Sequence, residues 1–257
     1  MDESHASSRS GPRIVAVIPA RMGSSRFPGK PLAPLLGRPM IQHVYERAAS
    51  CGVLDEVVLA TCDDEIARAA ASFGAPVVMT SSSHERASDR TAEAAESLTA
   101  EIVVMIQGDE PMIRPDLIEA AVRPMLDSAE IGCVNLLAEI SDEAEFCDPN
   151  TIKVVCDARG DAMMMSREPI PTARGLGFGS IPAFKQVCVI PFRDDALRLF
   201  ASLGPTPLER AESIDMLRFI EHGHRVRMVP VESGMHAVDT PEDLRLVERL
   251  LAAQAAA

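Results

Sequence analysis

The chain has 257 residues, a formal net charge of −13 and 47% hydrophobic residues. This length fits one large α/β domain, and the hydrophobic fraction is high enough to form a sizeable core. The net acidity argues against nucleic acid as the main partner, and one Tyr without any Trp leaves few rings to stack on bases. The sequence contains no run of about 18 apolar residues, so it predicts no membrane span.

The N-terminal segment and the cysteines predict a cytoplasmic location. Residues 1–12 are polar and lack the apolar core of a signal peptide, so we expect a disordered tail before a domain at 13–252. The six cysteines are scattered, without a C-x-x-C pair. This usage is typical of reduced thiols rather than of a zinc site or a disulfide framework.

Short apolar segments alternate with helical patterns along the chain, which predicts an α/β fold with a mostly parallel mixed sheet flanked by helices. Strands are predicted near 13–19, 55–61, 76–79, 102–106, 131–138, 151–156, 185–192 and 225–231. The Pro- and Gly-rich stretch 166–183 predicts a loop over a substrate site rather than a domain boundary.

The expected helix ends follow the usual preferences for caps and prolines. We predict prolines 39 and 115 at helix starts, caps at Asp63 or Asp64, at Ser88 or Asp89 and at Thr240, a kink or end at Pro124, and helix ends at Gly74 and Gly223. The last of these closes one continuous helix that begins at residue 207. No internal repeat is visible.

The first predicted strand leads into a loop of small residues with the sequence IPARMGSSRFPGKP, which carries Arg21, Arg26 and Lys30. No Asp or Glu occurs between His5 and Tyr45, so this window is basic within an acidic chain. Such a loop after a buried strand is typical of a polyphosphate site. Lysines are rare in this sequence, so a lysine at position 30 suggests that a compact ammonium is needed there rather than a planar guanidinium. Genome composition alone would also explain the excess of arginine.

Two carboxylate-bearing segments are further candidates. In MIQGDEP an apolar strand ends at Gly108 and Asp109, where ligands bind in open α/β sheets, and Mg²⁺ commonly bridges such carboxylates to phosphates. The alternative is a polar turn in which Asp109 caps the next helix. In AVDTPED an ordinary helix start is favoured, and Asp239 lies just outside the Thr240 cap.

Taken together, these segments resemble the 3-deoxy-manno-octulosonate cytidylyltransferases of bacterial surface polysaccharide pathways, which make lipopolysaccharide or capsule. The resemblance covers about residues 13–250 in order. It is carried by IPARMGSSRFPGKPL, GRPMIQHVYERA, ATCDD, MTSSSHERASDRTAE, QGDEPMI, NTIKVV, SREPIP, AESIDMLR and VDTPEDL.

The resemblance implies a single-domain, Rossmann-like nucleotide-diphospho-sugar transferase fold, a homodimer and dependence on Mg²⁺. It also implies transfer of CMP from CTP to the anomeric hydroxyl of a 2-keto sugar acid, with release of pyrophosphate. Arg21, Lys30, Asp109 and Asp239 would be catalytic, and the last two would hold Mg²⁺. The nucleotide would meet Pro19, Ala20, Arg21, Gly23, Ser24, Lys30, Thr80, Ser81, Arg90, Gln107 and Gly108. The sugar acid would meet Arg167, Gln186, Ile190 and Glu212.

Around the expected sugar pocket, the chain departs from the family. Where relatives typically carry Lys/Arg-His-x-Gly-Ile-Tyr-x-Tyr, this chain has KQVCVIPF, with Gln186, Cys188, Ile190 and Phe192 at the changed positions. An imidazole and two hydroxyls that could meet sugar hydroxyls are lost, and each unpaired hydroxyl would cost about 1–3 kcal/mol. A Gly-rich approach to the last motif is also replaced by a segment containing Met235 and His236. His236 is either a polar loop residue or a new substrate contact.

These departures keep other functions open. The same transfer to an 8-amino analogue, a nonulosonic acid or a phosphonate is the nearest alternative. A regulatory nucleotide-binding protein without turnover is a second, although such a protein would not need two metal-binding carboxylates. A dinucleotide-dependent oxidoreductase is disfavoured, because no G-x-G-x-x-G follows the first strand.

Overall fold

A computed structural model describes residues 11–23, 26–232 and 234–256. Residues 1–10 of the predicted tail, and Ser24 of the predicted nucleotide site, lie outside the described residues. Within the described part, no helix combines the length and apolar character that a membrane span needs.

The chain alternates strands and helices in the order that follows. The strands are β1 (Ile14–Ala20), β2 (Pro34–Leu35), β3 (Arg38–Pro39), β4 (Glu56–Thr61), β5 (Val77–Met79), β6 (Ile102–Ile106), β7 (Val134–Glu139), β8 (Lys153–Cys156), β9 (Ala162–Ser166), β10 (Phe184–Val187), β11 (Val189–Arg193) and β12 (Arg227–Pro230). The helices are α1 (Met40–Ala49), α2 (Asp64–Ser72), α3 (Ala87–Glu96), α4 (Pro115–Asp127), α5 (Glu143–Cys147), α6 (Asp194–Ser202), α7 (Pro207–Glu212), α8 (Leu217–Glu221) and α9 (Pro241–Ala256). Short 3₁₀ turns cover Lys30–Leu32 and Phe178–Ser180.

The first sheet has the strand order β11-β6-β1-β4-β5, in which β1, β4, β5 and β6 are parallel and β11 is antiparallel. All seven residues of β1 are buried, as expected for a central strand covered on both faces. Because β1 and β6 are parallel neighbours, the loops that follow them leave the sheet at the same edge. This edge is where the sequence predicted the basic loop and Asp109 to meet.

The second sheet has the order β12-β7-β10-β8-β9 and is mainly antiparallel, with only β12 and β7 parallel. The mixed α/β fold with flanking helices is confirmed, whereas this separate sheet and β9 were not predicted. The predicted strand 185–192 is two strands that belong to different sheets and meet at Cys188. Its apolar pattern continues across Cys188, so periodicity carries no sign of the change.

The predicted helix caps differ in outcome. Thr240 does cap α9, since its hydroxyl accepts from the Asp243 amide at 3.2 Å and the Asp243 carboxylate accepts from its amide at 2.8 Å. The Asp63 carboxylate instead accepts from the Met22 amide at 2.8 Å and so holds the first loop. The cap predicted at Ser88 or Asp89 is wrong, because α3 already begins at Ala87 and the Ser88 hydroxyl donates to Asp215 at 2.6 Å.

The single helix predicted over 207–222 is also wrong, because the chain forms α7 and α8 with a break at Ser213. Ser213 has a left-handed φ of 56°, which ends α7. The apolar spacing near three residues also does not match the 3.6-residue helical period. α4, by contrast, continues past Pro124 to Asp127.

A buried ion cluster holds α7 and α8 against α3. The Arg218 guanidinium donates to Glu209 at 2.7 and 2.9 Å and to Asp89 at 2.7 Å, and it lies 4.4 Å from the centre of the Phe200 ring. Arg218 and Glu209 are 2% and 0% exposed, so neither charge can be solvated if its partner is lost. Arg86 lies farther from Glu209, at 4.0 Å, so Arg218 is the main partner of this buried carboxylate.

We expect Arg218→Met to lower the free energy of unfolding by about 3–5 kcal/mol, because it leaves the buried Glu209 carboxylate without the guanidinium that donates hydrogen bonds to it. Arg198→Met is the matched control: Arg198 pairs with Asp194 on the surface, where such pairs contribute below about 1 kcal/mol. Urea unfolding of both variants measures the difference. Equal losses in the two variants would mean that the buried cluster adds no stability.

Candidate active site

The site begins where the chain leaves β6 and passes close to the end of β1. A Cβ atom at Gly108 would lie only 2.9 Å from the carbonyl oxygen of Pro19, so glycine is required there. The predicted close backbone approach at Gly108 is present in the structure. It brings Asp109 beside the first loop.

Three loops converge on Lys30. Its ammonium lies 2.7 Å from the Asp109 carboxylate and 3.3 Å from the Asp239 carboxylate. The Val238 amide donates to the Asp109 carbonyl at 2.9 Å, which holds the segment before α9 against the loop after β6. Arg26 completes the group, since its guanidinium donates to Asp239 at 3.0 Å. The structure thus brings together three of the four residues expected to be catalytic, Lys30, Asp109 and Asp239.

The donor atoms at this junction suit a magnesium ion. The Asp109 and Asp239 side chains are 25% and 28% exposed, so their oxygens are accessible to an ion and to substrate. Among the described residues, no group of three or more His, Cys, Asp and Glu has the arrangement of a metal site. Two carboxylates are nevertheless sufficient for Mg²⁺, which keeps several waters and binds substrate phosphates.

A third carboxyl group lies in the same wall and was missed by the sequence analysis. Glu110 is buried, and within the described residues its Oε2 atom has no hydrogen-bond partner. Burial raises the pKa of Glu110 to about 8, with a further contribution from the Asp109 and Asp239 carboxylates. Its only sequence signal was its position beside Asp109.

A cavity of about 410 Å³ lies between the first loop and the N-terminus of α3. The predicted nucleotide residues that line it are Pro19, Ala20, Arg21, Gly23, Lys30, Arg90, Gln107 and Gly108. Thr80 and Ser81 lie behind this wall, where the Thr80 hydroxyl and the Ser81 carbonyl accept hydrogen bonds from Arg90. Arg21 lines the cavity and forms no ion pair within the described part of the chain, so its charge is available to an anion.

A second cavity of about 630 Å³ adjoins the first and shares Arg21, Arg26, Gln107 and Asp109 with it. Of the predicted sugar-acid residues, Arg167, Gln186 and Ile190 line it. Glu212 lies outside its wall, because the Glu212 carboxylate accepts from the Ser166 hydroxyl at 2.7 Å and from the Arg167 amide at 2.8 Å.

Within the predicted loop over the site, at 166–183, Arg167 alone lines this larger cavity. Ala173, Phe178 and Ile181 from this stretch pack instead around Phe146, and the rings of Phe146 and Phe178 lie 5.3 Å apart. The stretch therefore forms a small cluster of its own, and the expectation of a loop over the site holds for Arg167 only.

One wall of the larger cavity is apolar and corresponds to the divergent segment. Cys188 and Ile190 line it together with Met105 and Met216. Beside them, the Gln186 amide donates to the Asn135 side chain at 2.5 Å. Asn135 in turn donates to the Val187 carbonyl at 2.7 Å, which fixes the side-chain oxygen of Asn135 as the acceptor.

Two arginines that line both cavities, Arg26 and Arg86, were not among the predicted site residues. Arg26 was predicted only as one of the cations of the first loop. The orientation of its guanidinium depends on the Asn150 side chain, which accepts a hydrogen bond from it at 2.6 Å. Arg86 directly precedes α3 and donates to the Ser213 hydroxyl at 2.7 Å. No local pattern predicts either contact, because both join segments that are distant in the sequence.

A family model described as cytidylyltransferase matches residues 15–228, which is most of the chain and includes Lys30 and Asp109. The chain belongs to the cytidylyltransferase family. The nucleotidyltransferase class predicted from the resemblance is thereby confirmed.

Named relatives cover nearly the whole of this cytidylyltransferase. It is 44% identical to the 3-deoxy-manno-octulosonate cytidylyltransferase of Geobacter metallireducens, over 93% of this chain and 98% of that protein. It is 45% identical to the protein of the same name from Solibacter usitatus, over 94% of this chain and 95% of that protein.

A solved structure has the same fold. This structure, of CMP:2-keto-3-deoxy-manno-octonic acid synthetase complexed with CTP, matches with a TM-score of 0.88 and 40% sequence identity. The match covers 94% of this cytidylyltransferase and 99% of that chain. The predicted single-domain transferase fold is confirmed.

Proposed function

We propose that this cytidylyltransferase transfers CMP from CTP to the anomeric hydroxyl of 3-deoxy-D-manno-octulosonate, or of a close 2-keto sugar acid, and releases pyrophosphate. Such a product would serve lipopolysaccharide or capsule synthesis. The observation that carries the proposal is the convergence of Lys30, Asp109 and Asp239 at the junction of two cavities. The names of the relatives, which match over nearly the whole chain, support the choice of substrates.

We assign CTP to the smaller cavity. Arg21 and Lys30 supply positive charge to the triphosphate, and Ala20 and Gly23 let its oxygens approach the backbone of the loop. Arg90 and Gln107 face the base and ribose, with Thr80 and Ser81 holding Arg90 from behind. We also assign Ser24 to the triphosphate, from the resemblance alone.

We assign the acceptor to the larger cavity, with its carboxylate on Arg167. The Arg167 guanidinium donates to the carbonyls of Glu212 at 2.7 Å, Pro149 at 2.9 Å and Ser213 at 3.4 Å. A guanidinium has five N–H groups, so two are left for a bidentate contact with a carboxylate. Gln186 and Ile190 then lie beside the sugar ring, and Glu212 acts by holding Arg167.

The family is of the nucleotidyltransferase type, which generally uses a divalent metal, and we propose Mg²⁺ bound by Asp109 and Asp239. When bound there, Mg²⁺ would neutralise charge on the phosphate oxygens and favour ionisation of the attacking hydroxyl. The shared contact with the Lys30 ammonium supports a site where both carboxylates act together.

In the proposed reaction, the anomeric oxygen forms a bond to the α-phosphorus while the bond to pyrophosphate breaks in line. No protein nucleophile is needed, so catalysis consists of positioning and charge stabilisation. Arg167 holds the acceptor, and Lys30 and Arg21 stabilise the negative charge on the phosphates. Arg26, which lines both cavities, lies between the two substrates.

The test is Mg²⁺-dependent release of pyrophosphate from CTP with a panel of acceptors: 3-deoxy-octulosonate, its 8-amino analogue, nonulosonic acids and simple phosphonates. We expect release with 3-deoxy-octulosonate. Release with another acid alone would favour the second candidate, which the apolar wall at Cys188 and Ile190 supports, because this wall offers no hydrogen bonds to sugar hydroxyls. Binding of CTP without release from any acceptor would contradict both.

Two further assignments complete the proposal. We expect a homodimer, which light scattering on the purified protein measures. We place the enzyme in the cytoplasm as one domain over 13–252, supported by the cysteines, since no disulfide forms among the described residues.

A further inference from the structure

Lys153, at the start of β8, is fully buried. Its ammonium donates to three backbone carbonyls: Asp148 at 2.8 Å, Thr151 at 2.7 Å and Arg167. An ammonium has three N–H donors, so all of them are used. Burial lowers the pKa of Lys153, and these three acceptors offset the loss of water around the charge.

A lysine is an unusual residue at this position of a strand. The next residue along β8, Val154, is buried in the sheet's core, and an apolar side chain at 153 would also fill its space. The chain contains only three lysines. The ammonium is therefore best explained by the carbonyls that it binds, which belong to the turn 148–151 and to the backbone of Arg167.

The turn 148–151 borders the larger cavity, since Asp148, Asn150 and Thr151 are part of its wall. Two other cations contact the same turn: Arg167 donates to the Pro149 carbonyl at 2.9 Å and Arg26 donates to the Asn150 side chain at 2.6 Å. Among the described residues, the Lys153 ammonium is the one side-chain group that donates both to this turn and to the Arg167 backbone carbonyl. A displacement of the turn would thus also displace the carbonyl that orients the Arg167 guanidinium.

We propose that Lys153 is a positioning residue of the acceptor site: its ammonium sets the turn 148–151 and the Arg167 backbone, and so the orientation of the Arg167 guanidinium. This inference rests on the proposed function for the identity of the acceptor. Lys153 itself contacts no substrate, because no part of it reaches the cavity wall.

The test compares wild type with Lys153→Met, which has a similar length but no donor. We expect the KM for 3-deoxy-octulosonate to rise at least about 10-fold, since small misplacements of a binding group cost this much or more, while the KM for CTP stays within about twofold. We also expect faster amide hydrogen exchange at 148–152 and at 167–170, with unchanged exchange around Lys30. Lys153→Gln keeps two N–H donors and is expected to give a smaller rise of the same KM.

The matched control is Val58→Ala, a buried change in β4 of the other sheet. It is expected to lower Tm without raising the KM for 3-deoxy-octulosonate relative to the KM for CTP. Equal rises of both KM values in Lys153→Met, or an unchanged KM for the acceptor, would overturn the positioning role. If Lys153→Met does not yield soluble protein, wild type and Lys153→Gln provide the test. Rapid amide exchange at 148–152 in wild type would overturn the positioning role. An unchanged KM for the acceptor relative to the KM for CTP in Lys153→Gln would also overturn it.

The two proposals fail in different ways. Absence of activity in wild type with 3-deoxy-octulosonate would contradict the proposed function. Hydrogen exchange at 148–152 and 167–170 needs no acceptor, so it tests the hold of Lys153 on these segments whichever acid is the substrate.

Discussion

Replacing Asp109 by Asn is expected to lower kcat by about 10³-fold or more while leaving the fold intact. The loss corresponds to roughly 4 kcal/mol of transition-state stabilisation, as expected when a metal-holding carboxylate loses its charge. The fold should survive because the asparagine has the same shape, and the Asp109 contact to Val238 is made by the backbone carbonyl. Pyrophosphate release at increasing Mg²⁺ concentrations measures the loss of kcat, and urea unfolding measures whether the fold remains stable.

The control for this experiment is Asp127→Asn, which removes an exposed carboxylate at the end of α4. We expect it to retain full activity, so any general effect of changed net charge is excluded. Substantial Mg²⁺-dependent turnover by the Asp109 variant would remove Asp109 from the proposed metal site. Asp239 would then have to be tested alone.

The second large effect is expected for Lys30→Met, which should lower kcat by about 10²- to 10³-fold with a small change in the KM for CTP. This magnitude is typical of losing one charged donor that acts on the transition state. Lys30→Arg should have a kcat nearly as low as that of Lys30→Met, because a planar guanidinium does not replace a compact ammonium placed between two carboxylates. Steady-state kinetics with CTP varied at saturating acceptor measures this.

A rise of KM with unchanged kcat would show instead that Lys30 binds the ground state of CTP and the transition state equally. The control is Arg38→Met, since Arg38 belongs to the same basic window but pairs with Glu46 on the surface. Full activity in that variant would separate the role of Lys30 from the general charge of the window.

The sequence predicts the first sheet well because four of its strands, β1, β4, β6 and β11, are almost wholly buried and form apolar runs; the short edge strand β5 is only partly buried. These elements are determined by local sequence patterns: β1 and β6 are continuous apolar runs, and Pro115 and Thr240 are at helix starts as expected. The change of sheet at Cys188 and the break at Ser213 depend on contacts between distant segments. Strand periodicity and helix periodicity do not report such contacts.

The candidate site divides in the same way. The meeting of Lys30 and Asp109 was predictable because the carboxyl ends of parallel strands meet at one edge, whereas Asp239 was expected there only from the family resemblance. The positions of Glu212 behind Arg167, and of Lys153 under the turn 148–151, were not predictable. Each follows from hydrogen bonds to backbone carbonyls or amides, which any residue type could supply.

The change of sheet at Cys188 has a consequence for how substrate range can evolve or be engineered. Gln186 belongs to the second sheet, whereas the loops that carry Lys30 and Asp109 follow strands of the first. Mutations in β10 can therefore accumulate without disturbing the parallel strands that support the phosphate chemistry, whereas the turn 148–151 is tied to Asp239 through Asn150 and Arg26. A library confined to β10 is the natural starting point for making new CMP-linked acids with this scaffold.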